Sequence, residues 1–236
     1  KCTVIRRGKY IGTVDVKDTT EADMAKMMVG REVSFKVEKT EAKPKDIVVK
    51  IEDLCVNNNK KVLGLKNFSL DIRAGEIVGI AGVEGNGQTE LVEALTGMRS
   101  VESGNIIFKG RNIVKDSIRE RIDDGMAHIP EDRHKRGLIL DFTVAENTVL
   151  QNYKDPRFSK NGILNKDAIE KYADEIIERF DVRPTDHTVK SRALSGGNQQ
   201  KGVIGREIES NPDLLIAVQP TRGLDVGSIE YIHKRL

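Results

Sequence analysis

The stretch EIVGIAGVEGNGQTELVEAL, residues 76–95, constrains the fold more than any other part of this chain. Residues 76–82 are an apolar, β-branched run, the pattern of a buried strand, and residues 88–95 are predicted as a helix. The residues that join them, GVEGNGQT, follow the spacing of a phosphate-binding loop: Gly, four residues, Gly, Lys, then Ser or Thr. Gln88 stands where that pattern has lysine. Gly82, Gly85 and Gly87 let the backbone turn tightly enough for successive N–H groups to surround phosphate oxygens, with the positive end of the helix behind them. Glu84, Asn86 and Gln88 complete the candidate nucleotide-binding set, and the Thr89 hydroxyl is a candidate ligand for magnesium. Strand, glycine loop and helix in this order are the context that such a loop requires.

With 236 residues the chain has room for one domain and part of a second. Its 39 basic and 37 acidic residues nearly cancel, so the totals contain neither a basic stripe for nucleic acid nor an acidic tail. Cys2 and Cys55 have no CxxC spacing, which excludes a disulfide framework or zinc ribbon and points to a reducing compartment. No apolar run reaches the roughly eighteen residues of a membrane span, and the basic start lacks the apolar core of a signal peptide. A membrane role would therefore come through a partner. Lys1 at the start and a helical pattern still running at Leu236 predict a piece cut from a longer polypeptide.

The first residues, CTVIRRGKYIGTVDV, read as a hairpin turning at Arg7, Gly8 and Lys9. TTEADMAKMMVG reads as a helix capped by Thr20 and Asp23 and closed by Gly30, with Met24, Met27 and Met28 on one core-facing side. The charged stretch EKTEAKPKD has no aromatic residue and contains Pro44, which marks a linker. Beyond it IVVKIEDL and NFSLDI are strand-like. The apolar residues Ile169, Tyr172, Ala173, Ile176, Ile177 and Phe180 hold helical spacing on one face, DLLIAV is a short buried strand, and GSIEYIHKRL begins another helix. Strands alternating with helices imply a mostly parallel α/β sheet. His128 and His134 lie six apart, which is not metal-ligand spacing on a helix or strand.

LSGGNQQK, residues 194–201, resembles the signature of the ATP-binding-cassette (ABC) ATPases, and its NQQK ending is similar to the carbohydrate and nucleoside importers among them. In physical terms Ser195 can cap a helix, while Gly196 and Gly197 leave its first turn bare, so hydroxyl, amides and dipole face an anion. LLIAVQPTRGLD, residues 214–225, resembles the second nucleotide motif of that family and the loop after it. There the strand normally ends in Asp, which holds magnesium through water, and Glu, which polarises the attacking water. Here Val218 and Gln219 occupy those places; valine cannot ligate a cation and a neutral amide is a poor proton acceptor. Residues 56–59, VNNN, lack the aromatic that stacks on adenine, and Glu131 in IPEDRHKRGLI stands where the family has a glutamine.

The resemblance covers residues 47–236 and implies a P-loop NTPase cassette of the α/β class: a mostly parallel sheet, an antiparallel β subdomain and a helical signature subdomain. Residues 1–34 look like the end of a preceding cassette and residues 35–46 like the linker, so the chain resembles the second cassette of a fused pair, cut before its C-terminal end. The implied cofactors are ATP and Mg2+, bound weakly or not at all in this half-site, with no intact catalytic residue in the chain. Ser195, Gly196, Gly197, Gln199 and Asp225 would instead complete the site on the first cassette. The implied partners are that cassette, transmembrane permease subunits touched near Glu131 and, indirectly, an extracellular substrate-binding protein, with no nucleic acid. The implied place is the cytoplasmic face of the cell membrane. The family's switch histidine lies beyond this stretch, so His233 is not that residue. Competing readings are an inert coupling module, or a soluble cassette ATPase of translation or DNA repair, which the NQQK and EDR sequences disfavour.

Overall fold

A computed structural model describes residues 1–6, 8–32, 37 and 39–236. In chain order the elements are β1 (Cys2–Arg6), β2 (Lys9–Val14), α1 (Glu21–Val29), β3 (Ile47–Asn57), β4 (Leu63–Arg73), α2 (Gln88–Leu95), β5 (Ser103–Phe108) and β6 (Arg111–Asn112). They continue with α3 (Ile118–Asp123), β7 (Met126–Ile129), α4 (Arg133–Arg136), α5 (Val144–Thr148), β8 (Ser159–Lys160), β9 (Ile163–Leu164), α6 (Lys166–Arg179), α7 (Gly196–Glu209), β10 (Leu214–Ala217) and α8 (Val226–Arg235). Arg7 of the expected hairpin turn, and Ser34, Phe35, Lys36 and Glu38 around the expected linker, lie outside the described residues.

β1 and β2 pair antiparallel, Cys2 opposite Val14 and Arg6 opposite Lys9. The capping of α1 is as its sequence predicts. Thr20 Oγ1 accepts from Asp23 N–H at 3.1 Å, Thr20 N–H donates to the Asp23 carboxylate at 3.2 Å, and Gly30 ends the helix at φ +90°. The expected methionine face needs correction: Ala25 is the buried residue and Met28 is 50 % exposed. A two-stranded hairpin is too narrow to cover the whole apolar side of a helix. The other side of α1 leans on α8, where Arg31 pairs with the buried carboxylate of Glu230 at 2.5 Å and Val29 lies beside Gly227.

The largest sheet has the order β4-β3-β5-β6 and is antiparallel throughout. Val49, Ile51, Leu54 and Ile106 on its inner face meet Leu91, Ala94 and Leu95 of α2. Burying each leucine is worth roughly 1.5–3 kcal/mol, which anchors the helix that leaves the glycine loop. Arg121 of α3 holds the far end of α2. Its guanidinium, 2 % exposed, donates to the carbonyls of Ala94 at 2.5 Å, Leu95 at 2.7 Å and Ile113 at 2.7 Å. The last carbonyls of a helix have no partner inside it, and here a buried cation supplies one.

The parallel component is smaller than the sequence implies. Among the described residues it is the pair β7–β10, Leu214 opposite Met126 and Ala217 opposite Ile129. Residues 76–82, expected as a buried strand, are not one: Ile77 is 78 % and Ile80 51 % exposed. A strand exists by pairing, and among the described residues no strand pairs with this segment. β10 is half-buried rather than buried for the same reason, since only β7 pairs with it.

A helical layer completes the fold. Ile176 of α6 and Phe180 at its end, Val203 and Ile204 of α7 and Ile232 of α8 pack together with Ile129 of β7. α6 and α7 cross closely at Gly205, where a Cβ would stand 2.9 Å from Ile176. Of the expected α6 stripe Ile169, Ala173, Ile176, Ile177 and Phe180 are buried and Tyr172 is half-buried.

Candidate nucleotide site

Gly87 opens α2 at φ +97° and no side chain caps the helix. That backbone favours glycine, and a Cβ there would also meet the Gly64 carbonyl oxygen at 2.9 Å. Gln88 turns back onto the loop. Its Nε2 donates to the Val83 carbonyl at 3.3 Å and lies so close over Gly82 that a Cβ on that glycine would be 2.0 Å away. Glu84, Gly85, Asn86 and Thr89 are exposed around it. The loop thus has the turn and the bare helix start of a phosphate cradle, with a neutral amide folded across it in place of a cation.

At the end of β10, Val218 donates its N–H to the Ile129 carbonyl at 2.9 Å, extending the pairing with β7, and its side chain offers no oxygen. Gln219 is exposed at φ +44°, its carbonyl accepting from Arg222 N–H at 3.0 Å. Glu131 forms an ion pair with Arg222, so the charged loop after β7 is tied to the loop after β10. Among the described residues no group of three or more His, Cys, Asp or Glu side chains is placed to hold a metal.

The signature sits at the start of α7. Ser195 caps it, accepting from Asn198 N–H at 3.4 Å and from the Asn198 side chain at 2.9 Å. A Cβ on Gly197 would lie 2.9 Å from Ser228 Oγ, and one on Gly196 would lie 2.6 Å from the tip of the Arg133 guanidinium, a flexible end that can swing aside. Asp225 caps α8, accepting from Ser228 N–H at 3.0 Å and Ser228 Oγ at 2.8 Å. Burial pushes the Asp225 carboxyl up, and the hydrogen bonds from Ser228 outweigh this and hold it below the usual range. The fold therefore brings Gly197, Asp225 and Ser228 together.

Gln199 departs from its expected place at the nucleotide. It is buried, its Oε1 taken by Arg133 Nε at 3.2 Å and His134 Nε2 at 2.7 Å, and its Nε2 by the Ser191 carbonyl at 2.9 Å. One turn into α7 its side chain faces α4 rather than the helix mouth. Lys201, the last residue of NQQK, holds the Asp181 carboxylate at 3.0 Å and lies 4.7 Å from the Tyr231 ring, which joins α7 to α8.

Sequence reasoning did not single out Glu93. This α2 residue is buried, with Oε1 2.5 Å from Arg136 of α4 and Oε2 2.5 Å from Arg99. Burial raises its carboxyl, and Arg136 and Arg99 outweigh that and keep it below the usual range. The one signal available was a carboxylate inside the apolar face of QTELVEAL.

These features can be set beside known proteins. The family model described as ABC transporter matches residues 65–222. The chain belongs to the ABC transporter family. It is 54 % identical over 236 residues to the nucleoside import ATP-binding protein NupA of Lactococcus lactis subsp. cremoris, covering 100 % of this chain and 47 % of that protein. It is 52 % identical to the guanosine import ATP-binding protein NupO of Bacillus subtilis, covering 46 % of it. A ribose import ATP-binding protein, RbsA of Clostridium tetani, is 39 % identical, again with 46 % covered. The chain spans about half the length of the curated relatives it matches. In three dimensions it is similar to the ATP-binding cassette MJ0796 in a dimeric post-hydrolysis state bound to ADP and Pi, with TM-score 0.65 and 25 % identity over 78 % of this chain and 79 % of that one. No described helix of this ABC chain is long and apolar enough to cross a membrane.

Proposed function

We propose that this ABC chain is the second of two fused cassettes in the ATP-binding subunit of an importer for nucleosides or simple sugars, and that its own nucleotide half-site is silent. The transport reading rests on the names of the relatives, and the fused pair on a chain that covers about half of each. The silent half-site rests on one observation above all: Gln88 folds onto the Val83 carbonyl where a cation would face phosphate. Val218 and Gln219 add no metal-holding or proton-accepting carboxylate, and Thr89 stands as a lone hydroxyl donor for Mg2+. The residues present do not suit a magnesium-bound triphosphate.

In this reading residues 1–34 end the first cassette, residues 35–46 are the linker, and residues 47–236 lend a face to the first cassette's site. Ser195 orients the start of α7, Gly196 and Gly197 keep its amides open, and Asp225 holds α8 against Gly197 through Ser228. The loop around Glu131, braced by Arg222, faces a permease subunit at the cytoplasmic side of the membrane, and an extracellular binding protein delivers the solute to that permease. Losing a charge-assisted lysine contact and a metal-holding aspartate weakens Mg·ATP binding by roughly 10²–10⁴. Titration calorimetry on this chain should therefore find millimolar affinity or none. Micromolar affinity with a strict magnesium requirement would refute the silent half-site.

The second reading, a cassette that only transmits motion, draws on the same Glu131–Arg222 brace and on Gln199 being spent inside the chain. The two separate on Ser195: only a cassette that completes its partner's site makes hydrolysis depend on it.

A further inference from the structure

Three segments that the cassette reading assigns to the surroundings of a nucleotide converge on one carboxylate. Residues 56–59 hold the place of a base-stacking aromatic in the cassettes this chain resembles, α2 leaves the phosphate loop, and α4 follows Glu131. Glu93 on α2 is their meeting point. Arg99 grips it at 2.7 Å through Nε and at 2.5 Å through Nη2, and the same guanidinium reaches the Asn57 carbonyl and Asn59 Oδ1, each at 2.8 Å. Arg136 grips the other carboxylate oxygen from α4 at 2.5 Å. α4 is in turn fastened to the signature helix, because Arg133 and His134 both meet Gln199. A buried carboxylate with two guanidinium partners tolerates no loosening of either, since a freed partner leaves charge uncompensated.

We infer that Glu93 is a positioning residue that joins the base-side loop, the phosphate-loop helix and the charged loop into one body without a nucleotide. In an occupied site, a bound nucleotide would span these same parts. Here the ion triad keeps them together, so movement of α7 reaches the loop around Glu131 through protein contacts alone. The functional meaning of the triad rests on the silent half-site; its existence as a mechanical joint does not.

Hydrogen exchange on this chain separates the two. Each charge-assisted contact corresponds to roughly a 10–100-fold change in a local opening equilibrium. Glu93→Gln should speed exchange by at least about tenfold at two separate places: the Arg136, Gly137 and Leu138 amides, bonded within α4 and its end, and the Asn58 amide, bonded to the Val62 carbonyl. Arg136→Met should free only the first group and Arg99→Met only the second, while the Phe180 amide at the end of α6 stays as in the parent. Conservative Arg136→Lys should keep most of the α4 protection. Parallel acceleration at every amide, or none at either group in Glu93→Gln, would overturn the joint. Protection of residues 82–89 by micromolar Mg·ATP would refute the silent half-site and leave the exchange pattern of the three variants as the judge of the joint.

Discussion

Replacing Arg121 by methionine removes the cation that closes the far end of α2 while keeping an unbranched side chain in the same space. The guanidinium makes three contacts of 2.5–2.7 Å, to the Ala94, Leu95 and Ile113 carbonyls, and two longer ones, to the backbone carbonyls of Asp116 at 3.3 Å and Val114 at 3.4 Å. Only the short ones count fully. Three lost charge-assisted bonds, each about 1.5–3 kcal/mol, are offset by no longer holding a charge away from water, which leaves a net destabilisation of about 3–5 kcal/mol. With an m-value of about 2–3 kcal/mol/M in urea, the midpoint should fall by about 1–2.5 M at unchanged m. Arg121→Lys should lose about half as much, because an ammonium cannot span carbonyls on both sides. A midpoint shift below about 0.3 M for Arg121→Met would show that water replaces the guanidinium and that the packing of α2 does not depend on it.

Acid should weaken the chain through His128, whose Nε2 is buried without a partner and whose pKa burial, then Arg136, pushes down to about 4. The unfolded chain takes up its proton near 6.5, so the His128 contribution is whole above that pH, falls by about 3 kcal/mol between pH 6.5 and 4, and is flat below. His128→Leu should flatten that part of a stability-against-pH curve, and an unchanged slope would refute the assignment. Ser195→Ala should cost about 1 kcal/mol through the lost cap on α7, read as a lower Tm, and a gain in stability would contradict the capping role. Deleting residues 1–32 should expose the α8 face that α1 covers and make the chain less soluble or alter its oligomeric state. An equally stable monomer would show that the Arg31–Glu230 contact is incidental.

The features legible in the sequence were those set by neighbours along the chain. Thr20, Asp23 and Gly30 fixed both ends of α1, the α6 stripe gave its buried face, and Gly87 marked the start of α2. Residues 76–82 show the limit of such reasoning: an apolar β-branched run states a preference, whereas a strand requires a partner edge that local pattern cannot supply. Gln199 failed for a related reason. Its place in the signature motif suggested a ligand, but α7's register turns it inward to Arg133 and His134, contacts 66 and 65 residues away. Arg99, Arg136 and Arg121 left no mark in sequence, and Glu93 only a carboxylate on an apolar helix face, because their meaning comes from chain segments brought together by folding. Gln88, Val218 and Gln219 stood out because each occupies, at a fixed spacing, a place where the motif it resembles has a charged residue.

The central claim, a silent half-site that completes a competent one, is tested most directly by ATPase rates of the membrane-assembled full-length protein bearing Ser195→Arg or Gln219→Glu. Ser195→Arg sets a bulky cation at the mouth of α7 and should abolish hydrolysis. Gln219→Glu should leave the rate nearly unchanged, because a general base worth about 10²–10⁴ in a complete site acts on nothing when the lysine and the metal-holding aspartate are missing. An active Ser195→Arg protein, or strong activation by Gln219→Glu alone, would contradict the account.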